Sequence, residues 1–179
     1  MKIAQINKQV IAKEIESFKK LITSHMFTLM ANFLPESSVA FFKQQLDDHN
    51  YDSFIKAILE KIFQFACGEV SLQTKDEQMM MWQACNTICS IMWCSPASDK
   101  RFVINWTEWV KTPLGFAIKA CYARLQDTLT CEELAILLGY SRQEISRRAK
   151  LDLIPHKKIG GSYVFLKKDL VKKNFLPEK

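Results

Sequence analysis

The chain has 179 residues, of which 48% are apolar and 25% charged, with a formal net charge of +6. That length and apolar share can bury the core of one domain, or of a domain plus a small module, and they exclude a largely disordered chain. Five Gly and five Pro exclude collagen-like, linker-rich and turn-dense all-β chains, while the net basicity invites a polyanionic partner without proving one.

The elements follow in chain order. Ile3, Ile6, Val10, Ile15, Phe18, Ile22, Met26, Leu29 and Phe33 recur every three to five residues. This spacing predicts an amphipathic helix over about 3–33, stopped before Pro35. A second helix is expected over 37–46, with Phe41, Phe42 and Leu46 inward. Asp52 or Ser53 caps a third, which carries Phe54, Ile55, Ile58, Leu59, Ile62, Phe63 and Phe65 and ends at Gly68. Thr74 and Glu77 have the spacing of a capping box and open a fourth helix through Trp93.

Residues 78–98 carry no charged side chain but do carry Gln83, Asn86, Thr87 and Ser90. That polar load is too costly for a bilayer core, so the stretch reads as a buried central helix and no membrane is expected as a partner. Residues 99–110 fit either a short strand at 102–104 or a helix holding Trp106, Trp109 and Val110. Thr112 before Pro113 has the form of an N-cap and first-turn pair, opening a helix to about Leu125.

The pattern changes at Asp127. Thr130 with Glu133, and Ser141 with Glu144, are two closely spaced capping boxes on either side of Gly139. Helix, tight glycine turn, helix is the spacing of a helix-turn-helix. In the second helix Ile145 and Ala149 lie inward. Arg142, Gln143, Ser146, Arg147 and Lys150 fall off that line and form one polar face. Arg and Gln are able to make paired contacts to guanine and adenine edges. Two β-prone runs on either side of Gly160–Gly161 predict a hairpin, and a short helix over about 168–174 closes the module. Between Gly139 and Lys173 ten Lys or Arg stand against three acids, a formal +7, so the rest of the chain sums to about −1.

Residues 129–170, LTCEELAILLGYSRQEISRRAKLDLIPHKKIGGSYVFLKKDL, resemble the excisionase-type, MerR-like winged helix-turn-helix. The Leu-Thr start, the Ala in the first helix and Leu-Gly before Ser-Arg stand in register. Ile-Pro, Ile-Gly-Gly, an aromatic-x-Phe and Asp-Leu follow without a gap. The resemblance implies that Arg142, Gln143, Ser146 and Arg147 face the major groove. It also implies that the hairpin, with Lys158 and Tyr163, lies on the backbone or minor groove. Thr130, Ser141, Arg148 and Lys150 complete the candidate DNA-binding set. Arg148 stands where an apolar residue is usual, Asp152 where Gly is common, and Val164 and Leu166 where basic residues are usual.

The expectation is therefore a mostly α protein. A helical N-terminal domain (1–126) for dimerisation or regulation precedes a C-terminal winged helix-turn-helix with a short β-hairpin (127–179). Its partner is double-stranded DNA, read sequence-specifically by a homodimeric transcriptional regulator that joins through 1–126. The alternatives are an architectural factor for recombination, excision, partition or replication of a mobile element, and a protein-interaction adaptor. Met79, Met80, Met81, Trp82, Trp93, Trp106 and Trp109 are candidates for a self-association surface or an effector pocket.

The six cysteines (67, 85, 89, 94, 121 and 131) sit mostly in helix-like segments, and no secretory leader pattern precedes them. This suggests reduced thiols in a cytoplasmic protein, associated with the nucleoid when DNA is bound. No Cys-x-x-Cys occurs and the histidines are His25, His49 and His156, so neither a metal nor a cofactor is expected. Asp47, Asp48 and His49 are adjacent, but no nucleophile elbow, phosphate loop or HExxH accompanies them, so no enzyme is expected.

Overall fold

The computed structural model describes residues 6–33, 36, 51–93 and 106–177. These are mostly helical, with a three-stranded antiparallel sheet near the C-terminus. In chain order the elements are α1 (Lys8–Phe33), α2 (Tyr51–Cys67), α3 (Lys75–Trp93), α4 (Trp106–Trp109), α5 (Pro113–Leu125) and β1 (Thr128–Thr130). They continue with α6 (Cys131–Leu138), α7 (Arg142–Lys150), β2 (Lys157–Ile159), β3 (Ser162–Leu166) and α8 (Lys167–Lys172). The expected helix over 37–46 and the alternative strand over 102–104 lie outside the described residues.

Helix boundaries follow local chemistry. Asn7 Oδ1 accepts from the main-chain N–H groups of Gln9 and Val10, so α1 begins later than periodicity alone suggests. At the end of α2, Glu69 N–H reaches Gln64 O and Gly68 N–H reaches Phe65 O, which is a Schellman closure around the left-handed Gly68. Thr74 and Glu77 form the reciprocal box at α3. Thr112 Oγ1 accepts from Gly115 N–H with Pro113 in the first turn of α5.

The buried apolar side chains fall into two clusters. The first holds Ile15 and Phe18 of α1, Leu59, Ile62 and Phe63 of α2, Met81, Cys85 and Ile88 of α3, and Trp109. Its centre is α5, which contributes Leu114, Phe116, Ala117, Ile118 and Cys121 and packs against α1, α2 and α3. For its described part, up to Trp93, this corrects the expectation that residues 78–98 form the central buried helix. Only one face of α3 is covered, and Met79, Met80 and Trp82 are each more than half exposed. Absence of charge marked that segment, but small residues mark the true centre. Gly115, Ala117, Ala120 and Ala123 let neighbouring backbones approach closely, and a Cβ on Gly115 would lie 2.2 Å from Trp109 O.

The second cluster holds Leu129, Leu134, Ala135, Ile145, Ala149, Ile154, Phe165 and Leu170, together with Ala123 from the end of α5. The sheet order is β1-β3-β2, with Leu129 opposite Phe165 and Lys158 opposite Tyr163. Gly160 and Gly161 both have positive φ, as the tight hairpin turn between β2 and β3 requires. β1 was not foreseen. Thr128, Leu129 and Thr130 alternate exposed, buried, exposed over only three residues, too short a run to register as a strand.

The two clusters meet along α5. Ile136 of α6 packs on the first cluster, Lys119 of α5 pairs with Glu132 of α6, and Lys167 Nζ donates to Arg124 O. No helix among the described residues is long and apolar enough to cross a membrane.

Candidate nucleic-acid interface

The basic side chains of the C-terminal region lie on α7, the hairpin and α8, and α6 packs against α7. Thr130 Oγ1 accepts from Glu133 N–H, and Glu133 Oε2 accepts from Thr130 N–H at 2.8 Å, so α6 starts on a complete capping box. Gly139 ends α6 in the left-handed region, and Ser141 Oγ then caps α7 by accepting from Glu144 N–H at 3.1 Å. Ile145 and Ala149 are fully buried and pin α7 to the second cluster. The helix therefore has one outward side. Arg142, Gln143, Arg147 and Lys150 are exposed on it and Ser146 is half-buried. Ser141, Arg142, Gln143 and Ser146 line one open concavity at the start of the helix.

The second capping box is only half present. Glu144 does not turn back to Ser141; its carboxylate turns along the helix. Oε2 accepts from Arg147 Nε at 2.9 Å, while Oε1 accepts from Arg147 Nη2 at 2.8 Å and from Arg148 Nε at 2.6 Å. These charge-assisted bonds from Arg147, then Arg148, pull the Glu144 carboxyl down to about 2. The Arg148 guanidinium also lies 4.3 Å over the Tyr140 ring. Arg148 is thus packed between Glu144 and Tyr140 at the edge of the polar face. Sequence reasoning placed neither Glu144 nor Tyr140 in the site. The signal for Glu144 was available in its spacing of three and four residues from the two arginines.

The chain leaves α7 through a second Schellman closure, with Leu153 N–H to Arg148 O and Asp152 N–H to Ala149 O. Asp152 takes the left-handed position at φ 54°. This is the conformation that makes glycine the usual choice there.

On the hairpin, Lys157, Lys158 and Ile159 are exposed. Lys158 Nζ stands 5.9 Å from the Tyr163 ring centroid, and Tyr163 meets the edge of His156 at 4.9 Å. His156 Nδ1 lies 3.0 Å from Ile154 O, which ties the strand to the buried cluster. Val164 and Leu166 are half-buried in the sheet beside β1. Thr130 is the cap of α6 and not part of α7: its hydroxyl accepts from Glu133 N–H and its backbone pairs with Val164.

Cys131 opens α6 and is partly buried against the second cluster, while three other cysteines lie in the first. Cys85, Cys89 and Cys121 are buried among α2, α3 and α5, with Cys121 Sγ donating to Ile62 O at 3.4 Å. Burial pushes the Cys89 thiol up, and a hydrogen bond with Cys85 followed by burial pushes Cys121 up further, so both are poor nucleophiles. No group of three or more His, Cys, Asp or Glu able to hold a metal occurs among the described residues.

Comparison of the chain with protein-family models, curated proteins and solved structures finds no match.

Proposed function

We propose that residues 127–179 form a winged helix-turn-helix and that the protein binds double-stranded DNA sequence-specifically, as a dimeric transcriptional regulator. The observation that carries this reading is α7. Its buried side fixes its orientation, while Arg142, Gln143, Ser146, Arg147 and Lys150 share the opposite side. Arg and Gln in the first turns of such a helix are suited to base edges in a major groove. The adjoining hairpin presents Lys157 and Lys158 to the phosphate backbone. The local +7 supports salt-dependent attraction to a duplex.

One reading helix of nine residues supplies limited affinity, and pairing two copies on neighbouring half-sites is the common remedy. Met79, Met80 and Trp82 on α3 give residues 1–126 an apolar surface for such pairing. The test is selection from a random duplex library with full-length protein. An enriched motif with two inverted half-sites supports the dimeric regulator. Failure to retain any duplex at low salt overturns it.

A second reading, an architectural DNA-bending factor, is favoured by Leu151 and Leu153 just after α7 and Ile159 on the hairpin, which are 55%, 57% and 60% exposed. Apolar side chains at such a surface can wedge between base steps. Retention without an enriched motif, together with a measured bend, selects this reading.

A further inference from the structure

Glu144 is the one acid of α7, and both of its carboxylate oxygens are committed to the two arginines that follow it. Arginine has five N–H donors in a planar fork. Glu144 takes Arg147 side-on, through Nε and one N–H of Nη2. The two Nη1 donors and the second Nη2 donor remain, and one Nη1 donor with that Nη2 donor forms the end-on edge that matches guanine O6 and N7. The Arg147 side chain is 59% exposed, so it is open to a partner. The carboxylate cannot swing away without releasing all three bonds, because Oε1 is shared with Arg148, whose guanidinium also lies over the Tyr140 ring.

Resting on the DNA-binding reading above, we propose that Glu144 is a positioning residue for sequence readout. It fixes the plane of Arg147 so that its end-on donors meet a guanine. It also places a negative charge beside Arg147 and Arg148 that disfavours phosphate at either of them. A solvated arginine without this brace reaches base edge and phosphate alike and discriminates poorly. The trio carries one net positive charge instead of two, which lowers sequence-independent attraction and leaves the guanine contact intact. The low carboxyl pKa agrees with a brace that persists throughout the neutral range.

The test uses full-length wild type, Glu144→Gln, Glu144→Ala and Arg147→Lys. Each is titrated with the selected duplex, with variants replacing each guanine in turn, and with an unrelated duplex across a salt series. Both Glu144 variants are expected to lose about tenfold in discrimination at one guanine. Their salt slope on the unrelated duplex is expected to steepen by about 1. Arg147→Lys should lose the same discrimination while keeping the wild-type slope, since it keeps the charge and lacks the fork.

A Glu144 that only supported the helix would lower the melting temperature and weaken all duplexes by one factor, with the slope unmoved. That result overturns the proposal. So does wild-type discrimination in Glu144→Gln, or a selected site at which no guanine replacement matters. In each of those cases the wild type still binds duplex and the broader reading stands. A wild type that binds no duplex removes both.

Discussion

The guanidinium of Arg124 lies across Gly68, where a Cβ would stand 2.8 Å from Nη2. Arg124 Nε meanwhile donates to Ala66 O at 3.1 Å, placing a cation at the C-terminal end of α2. Gly68→Ala therefore meets two obstacles, a backbone at φ 79° and a side chain already engaged. It is expected to destabilise by about 1–2 kcal/mol. A urea midpoint equal to wild type would show that the closure of α2 tolerates a side chain.

Asp152 presents the reverse case. It occupies a left-handed position without being glycine, and its carboxylate lies 3.8 Å from His156 Nε2. Asp152→Gly should remove the backbone penalty and raise stability by about 0.5–1 kcal/mol, after the greater freedom of the unfolded glycine chain. Thermal unfolding reads this directly; a lower melting temperature would mean that the His156 contact outweighs the strain.

Glu14 of α1 sits half-buried, and its Oε2 accepts from Leu114 N–H at the start of α5. Burial raises its pKa above the ordinary 4.5 despite that bond and nearby Lys13. Its contribution to stability is thus fully present below the ordinary value and is lost as pH rises through the raised folded value. Glu14→Gln keeps an acceptor for Leu114 and has no charge to desolvate. Its melting temperature should gain on wild type as pH rises from about 4 to about 7. Parallel curves for the two proteins would remove Glu14 as the cause.

Arg142 and Lys158 should separate two kinds of DNA contact. Arg142→Ala is expected to cost about 1–3 kcal/mol on the selected site and much less on unrelated duplex. Lys158→Ala should weaken every duplex alike and reduce the salt slope by about 1. Equilibrium binding on both duplexes at several salt concentrations distinguishes them. Sequence-selective loss at Lys158, or none at Arg142, would reverse the assignment.

Much of the local structure was legible because single residues decide it. Thr74 with Glu77, Thr112 before Pro113, and Thr130 with Glu133 start helices by closing specific hydrogen bonds. Gly160–Gly161 closes a hairpin for an equally local reason. Long-range choices were less legible. β1 depends on Leu166, Phe165 and Val164, more than thirty residues away, for its partners. α5 is central because its small residues admit three other helices, a fact held in the joint packing and not in its own pattern. At the candidate site, the outward side of α7 followed from Ile145 and Ala149. The destination of Glu144 did not, because one carboxylate was eligible both as a cap and as a partner for two arginines, and only geometry chose between them.

The helix α5 gives its first turns to one hydrophobic cluster and Ala123 to the other, and α6 begins a few residues later, packed against it. Among the described residues α7 is thus linked to the helices before it through the packed pair α5 and α6. If two copies associate through residues 1–126 and α7 reads DNA as proposed, α5 acts as a caliper arm, and the separation of the two α7 helices is set wherever the copies touch. A rotation at that contact would then change the spacing of half-sites the pair can span.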